Sequence, residues 1–445
     1  MKQKVSPGSG ATPSLRPQTT APPSVPPAPS LATRMAPPLR LPGAHFAVAG
    51  GFLLAGTLGL VWAAPDLARG SFGMPRVVAI THLFTLGWIT TSIKGALYQF
   101  LPVALQTPIR STRLAAAGLL LYAPGLALFV IGLILGRVPL ALVGAALFGT
   151  ALLAFVGNLA ATLKRATQRN LTWWCLVGSA TALASTVILG ISLAGNLRWG
   201  YLGADRYLAV AVHLHVAIAG WVLLTIVGVA HRLLPMFLLA HGASEVPGKI
   251  AAILLSTGVA VLLAGHHALH PWLVWTIAAL LGGGLVALLL QGALFFRHRR
   301  KPQLDPGMRL AACGLSLLGV ALLIAPVHLA SGLAAPRIAT AYVVALLGGI
   351  TLFVCGHYYK ILPFLIWFHR FGPLVGKQQV PRVAELYAHR PAEVVVVAAT
   401  AGILAMGLGI LLAAQAVVRT GAALLLLGVS VLLIQMIHIS RKRPL

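Results

Sequence analysis

The chain has 445 residues, 58% of them hydrophobic and only 9% charged, with a formal net charge of +27. A soluble domain carries roughly 25% charged residues, so the composition excludes an ordinary water-soluble protein and makes lipid the main solvent. The basic excess does not point to nucleic acid, because nearly all Lys and Arg fall in short loops between apolar runs, where such residues set membrane orientation.

Residues 1–40 are rich in Pro, Ser, Thr and Ala, with five basic residues and no acidic one. Such a segment cannot bury enough apolar surface to fold, so it reads as a disordered cytoplasmic tail. It has no short apolar run followed by a small-residue cleavage site, and no cleavable signal peptide is expected. Apolar runs long enough to cross a ~30 Å hydrocarbon core then follow at 44–64, 77–102, 112–135, 138–163, 172–194, 206–235, 249–269, 272–296, 309–332, 337–366, 393–415 and 420–440. The expected fold is an all-α integral membrane protein with a twelve-helix transmembrane domain over 41–440 and a short basic tail at 441–445.

Every second loop is strongly basic. Arg110 and Arg113, then Lys164, Arg165 and Arg169, then Arg232 and Lys249 lie on one side, with Arg297 to Lys301, Lys377 to Arg390 and Arg441 to Arg443. The intervening loops are short and carry fewer cations. The positive-inside rule therefore places both termini and the basic loops in the cytoplasm, as for a multi-pass protein of a bacterial inner membrane. The three cysteines, Cys175, Cys313 and Cys355, lie in separate apolar segments without CxxC spacing and read as packing residues.

An internal repeat emerges once the helices are laid out. The second helix reads HLFTLGWITTSIKGALYQFLP from His82, the sixth HVAIAGWVLLTIVGVAHRLLP from His215, and the tenth VVALLGGITLFVCGHYYKILP from Val343. Gly recurs at the fifth offset (Gly87, Gly220, Gly348) and Pro at the twentieth (Pro102, Pro235, Pro363), with Trp88 and Trp221 shared by the first two copies. Singly, each Gly could pack helices and each Pro end them. Their common register at four-helix intervals predicts three pseudo-equivalent four-helix units.

Imidazole inside a bilayer is expensive and marks cofactors, ion paths or proton relays. Following the topology, His82, His213 and His215 lie in the outer halves of descending helices. His266, His267 and His270 end the ascending seventh helix, and His328 the ascending ninth. Seven histidines from four helices thus fall in one outer stratum. Imidazole is a preferred ligand of haem iron and copper. Each of these histidines taken alone could equally be a hydrogen-bonded interfacial residue. Deeper in the repeat, Tyr98, His231 and Tyr359 occupy the sixteenth offset, followed by Gln99, Arg232 and Lys360; these read as an interfacial belt with snorkelling cations. Lys94 sits a turn further in, where its stem could still snorkel. If functional, it would be a proton-entry residue or a partner for a haem propionate, and its inner depth favours the former.

This layout resembles subunit I of the haem–copper oxidase superfamily, in particular its cbb-type and nitric oxide reductase branches. The resemblance implies haem b at His82, through the axial position of the second helix. It implies copper at His215 and at the adjacent pair His266 and His267, with His213, His270 and His328 as secondary candidates. It further implies an oxidoreductase handling nitric oxide or oxygen, supplied by a cytochrome c-type or quinol donor. Several positions depart from the family. Tyr342 and Val344 stand where the tenth helix of the family carries H-x-H, and His357 lies about 20 Å deeper on that helix. The seventh helix has no Tyr, and all six acidic residues lie in loops or at helix ends, so a proton pump is not expected. The same helix pattern is similar to the NnrS-like haem- and copper-binding membrane proteins, a comparison that the missing H-x-H damages less. No CxxCH occurs, so covalent haem would belong to a partner. A twelve-helix transporter of a small solute or metal ion is the alternative, as is a non-catalytic relative retaining the scaffold. Transporter repeats are usually two halves, and three units fit that plan poorly.

Overall fold

A computed structural model describes residues 3, 35–240, 242–265 and 270–444. Most of the tail read over 1–40 lies outside the described residues. Twelve helices are long and apolar enough to cross a membrane. They are α1 (Arg40–Trp62), α2 (Pro75–Ala104), α3 (Thr112–Ile134), α4 (Val138–Arg165), α5 (Leu171–Trp199), α6 (Gly203–Leu238), α7 (Val246–Gly265), α8 (Pro271–Arg297), α9 (Pro306–Ser331), α10 (Pro336–Leu374), α11 (His389–Leu411) and α12 (Gln415–Arg441). No strand occurs among the described residues. Hydrocarbon offers the backbone no hydrogen-bond partner, so runs this apolar satisfy their amides internally as helices.

Local chemistry sets the helix ends. Proline occupies the first positions of α2, α8, α9 and α10, where its missing N–H is no loss. Side-chain oxygens of Ser111, Asn170 and Asp305 each accept a backbone N–H, from Leu114, Trp173 and Met308 respectively, at 3.1 Å. Gly200 closes α5 in the left-handed conformation, φ +64°.

The basic loops gather at one end and are stitched together there. The Ser111 amide donates to Asn158 Oδ1 (3.0 Å), Trp173 Nε1 to the Leu163 carbonyl (2.9 Å), and Arg370 to the Ser440 carbonyl (2.8 Å). Arg309 pairs with Glu393 at 2.6 Å, and Lys360 with Asp305. At the opposite end, the carboxylate of Asp66 is buried between Arg69 (2.7 Å) and Arg76. The two arginines outweigh the burial that opposes ionisation, and hold that carboxyl below the usual range.

The three repeat helices form the centre. In their most apolar stretches α2, α6 and α10 are 72%, 67% and 67% buried, against 28% to 50% for the other nine. They touch one another directly: Trp221 Nε1 donates to Thr90 Oγ1 (3.0 Å), Ser92 and Tyr358 share a hydrogen bond of 2.8 Å, and Trp88 lies 4.7 Å from Tyr358, ring to ring. The repeat glycines permit close helix approach. A Cβ at Gly87 would lie 2.6 Å from Phe52 of α1, and one at Gly220 2.5 Å from Ala182 of α5, contacts too short for any other residue. Gly348 faces α11 instead, 2.6 Å from Ile403. The last helix packs on the first, closing the outer ring.

Candidate functional site

Two π-helical stretches occupy the same place in the repeat, and a third, Trp367–Phe371, lies beyond the repeat proline of α10. Immediately after His82, α2 runs as a π-helix over Leu83–Thr90; immediately after His215, α6 does so over Val216–Leu223. The equivalent stretch of α10, which has no histidine at that position, is ordinary α-helix. Wide turns of this kind occur mostly at functional sites, because the regular hydrogen-bond ladder is disturbed and needs compensation. On α2 that compensation is visible: the Leu86 carbonyl accepts the Thr91 amide, Thr91 Oγ1 (3.0 Å) and Tyr122 Oη (2.8 Å).

Both histidines are oriented alike. Nδ1 of His82 bonds the Val78 carbonyl, and Nδ1 of His215 the Ala211 carbonyl, each at 2.8 Å. A carbonyl only accepts, so Nδ1 must carry the proton and Nε2 keeps its lone pair for a ligand. Each ring is half-buried and has a second imidazole within electrostatic reach. His213 lies near His82, and His328 near His215. Nδ1 of His213 and of His328 is buried and meets no hydrogen-bond criterion among the described residues, although the Thr186 backbone is close to His213. Phe129 packs edge-on against His82 (5.0 Å), and Tyr342 stacks on His328 (5.6 Å). His270 is exposed at the start of α8. His266 and His267 lie outside the described residues. No group of three His, Cys, Asp or Glu that could hold a metal ion occurs among the described residues. Among the described residues each of His82 and His215 therefore has one further imidazole in its electrostatic neighbourhood. A pair suits the one or two axial positions of haem iron, whereas the expected copper set would need donors beyond the described residues.

Lys94 does not snorkel, which corrects the reading of its stem. It is 1% exposed, its Nζ has no hydrogen-bond partner among the described residues, and it sits 4.1 Å from the Tyr122 ring centroid and 5.6 Å from that of Phe155. Its companions in this buried pocket are His45 and Tyr98, whose rings are 5.1 Å apart. The interfacial belt is likewise corrected, since Tyr98, His231 and Tyr359 are all buried. His231 approaches Glu245 at 3.2 Å, and this imidazole, with Arg232 and Lys249 nearby, holds the Glu245 carboxyl below the usual range.

A cavity of about 850 Å³ lies in the basic half of the molecule, away from the outer histidines. The three repeat helices line it at the same offsets. The tenth offset gives Ser92, Thr225 and Phe353; the fourteenth, Ala96, Val229 and His357; the seventeenth, Gln99, Arg232 and Lys360; the twenty-first, Val103, Met236 and Phe364. The repeat thus presents one face of each central helix to a common space. His357, set aside in the sequence for its depth, is the one imidazole that α2, α6 and α10 bring to this cavity, and the repeat register was the signal that could have found it.

No protein-family model and no curated protein matches the chain.

Proposed function

We propose that this chain is a haem-binding membrane redox protein of the bacterial inner membrane, with cytoplasmic termini and three pseudo-equivalent four-helix units. The observation that carries the reading is the matched pair His82 and His215. Each sits at the first position of its repeat copy, fixes Nδ1 on the carbonyl four residues back, frees Nε2, and opens a π-helical segment. His82 is assigned as an axial haem b ligand, with His213 beside it. His215 is assigned to copper or to a second iron centre, with His328 beside it and His266 and His267 completing a copper set. Bound haem would supply one-electron chemistry toward nitric oxide or oxygen, fed by a cytochrome c-type or quinol donor. The protein orients the imidazoles and keeps water from them. With Asp66, Asp205, Glu245, Asp305, Glu385 and Glu393 all in loops or at helix ends, no carboxylate chain supports proton pumping.

The test is an optical spectrum of the detergent-purified protein, oxidised and dithionite-reduced, with iron and copper measured on the same sample. Reduced b-type bands that disappear in His82→Ala are expected. A colourless protein lacking both metals, after expression with ample haem and copper, would refute the reading and leave a transporter as the better account.

A further inference from the structure

Within the cavity at the basic end, three features coincide. The walls are apolar and aromatic, with Phe100, Phe237, Phe353 and Tyr358 contributed by the three central helices. A single imidazole, His357, is buried in the lining, with Nδ1 tied to the Phe353 carbonyl at 2.8 Å and Phe353 packed on its ring at 4.3 Å. As at His82, that bond fixes the tautomer and leaves Nε2 as a free donor of electrons. At the mouth stand the exposed cations Arg232 and Lys301, neither in a salt bridge among the described residues though Glu245 is within electrostatic reach of Arg232, whereas Lys360 is paired with Asp305. Gln99, mostly buried in the wall, leaves its Oε1 without a partner among the described residues. The volume lies within the roughly 300–1,000 Å³ of small-molecule and cofactor sites.

Each ligand class uses these features differently. A long-chain fatty acid would use the apolar walls and the cations but leave the imidazole idle. A quinol would use the imidazole and Gln99 but leave the cations idle. A metallated tetrapyrrole dicarboxylate needs an apolar slot, one axial nitrogen and cations at the edge that carries its acids. We propose that this cavity is a haem site, with His357 Nε2 as the axial ligand and Arg232 and Lys301 facing the carboxylates. It shares with the reading above only the cofactor class, and rests on none of the same residues. Of the three repeat-equivalent positions only His357 offers an axial nitrogen: the other two are Ala96 and Val229, which leave room for the macrocycle, and the second imidazole of the lining, His389, is exposed at the start of α11.

The experiment is haem-to-protein stoichiometry and visible spectra of the full chain, purified after expression with ample haem, together with titration of the haem-depleted protein with haemin. His357→Ala is expected to lose one haem equivalent relative to wild type, while His82→Ala keeps that equivalent and loses its own. His357→Met retains an axial donor, so it should keep haem but shift its absorption bands, which a merely structural histidine would not do. Arg232→Glu with Lys301→Glu should weaken haemin binding by about tenfold or more. An unaltered haem complement and unaltered bands in both His357 variants would overturn the proposal, even if His82→Ala loses haem as the outer site requires. So would haemin affinity unchanged by the double charge reversal.

Discussion

Lys94 is an amine-bearing side chain with no carboxylate and no hydrogen-bond acceptor among the described residues, fully buried against two aromatic rings. Consider Lys94→Met, which keeps most of the stem and the shape. If the amine is charged, desolvating it costs several kcal/mol, while the ring faces return about 2 kcal/mol from Tyr122 at 4.1 Å and less from Phe155 at 5.6 Å. If it is neutral, its donors are still unsatisfied in an apolar setting, at roughly 1–3 kcal/mol. A thioether in the same place makes favourable contacts with both rings and leaves nothing unsatisfied. Both branches have the same sign, so Lys94→Met is expected to stabilise the protein by about 1–3 kcal/mol. Thermal unfolding of purified protein in one detergent should show a higher midpoint for the variant than for wild type. Lys94→Ala, which leaves a void, should fall below both. A midpoint for Lys94→Met clearly below wild type would refute the reasoning and mean that the amine has a bonding partner. A stabilised variant identifies Lys94 as a residue held at the expense of stability, the pattern of a functional site.

Two further predictions concern the end opposite the basic loops. Gly70 has φ +80°, and a Cβ there would lie 2.7 Å from the Arg337 amide nitrogen and 2.8 Å from the Pro336 carbonyl carbon. Gly70→Ala should therefore destabilise by at least about 1–2 kcal/mol from the left-handed backbone alone, read as a lowered unfolding midpoint; an unchanged midpoint would show that the loop can move away freely. Asp66 has its carboxyl held below the usual range by Arg76 and Arg69 against its burial. For such a depressed group the stabilisation is complete above the unfolded value near ~3.9 and is lost as pH falls through the lower folded value. Asp66→Asn should therefore be less stable than wild type at neutral pH, and the gap should shrink in strongly acidic buffer. A gap that is constant with pH would contradict the ion-pair account.

Much of the architecture was legible because lipid imposes a coarse rule: a run either is apolar for about twenty residues or does not cross. All twelve spans and the clustering of basic loops at one end followed from it. What the rule conceals is which face of a helix meets lipid and which meets protein, since both faces are apolar. Lys94 illustrates the loss. Its depth could be counted along α2, but its direction, sideways onto the rings of Tyr122 and Phe155, depends on tertiary packing. The π-helical turns after His82 and His215 are equally hidden, because no residue type encodes them. The repeat carried more information than hydropathy. Its seventeenth offset, read as an interfacial belt, is instead the polar ring of Gln99, Arg232 and Lys360 lining a shared cavity.

The contacts at the centre also weigh on the choice between redox and transport readings. Between the outer histidines and the cavity lies a layer formed by Trp88, Trp221, Thr90, Ser92 and Tyr358. Trp88 is 0% and Trp221 2% exposed, and the layer is joined by hydrogen bonds of 3.0 Å from Trp221 to Thr90 and 2.8 Å between Ser92 and Tyr358. His82 and Ser92 are ten residues apart on α2, which puts the two sites on either side of this layer at about 15 Å of helix rise. A carrier that moved a solute from the cavity to the outer histidines would have to part these rings and break both bonds in every cycle, each bond worth roughly 1 kcal/mol before the burial of two tryptophans is counted. Electron transfer asks for the reverse: a packed, unmoving medium between two fixed sites. A layer built of the three most buried helices of the molecule meets that requirement, and it supports the proposed redox reading over transport.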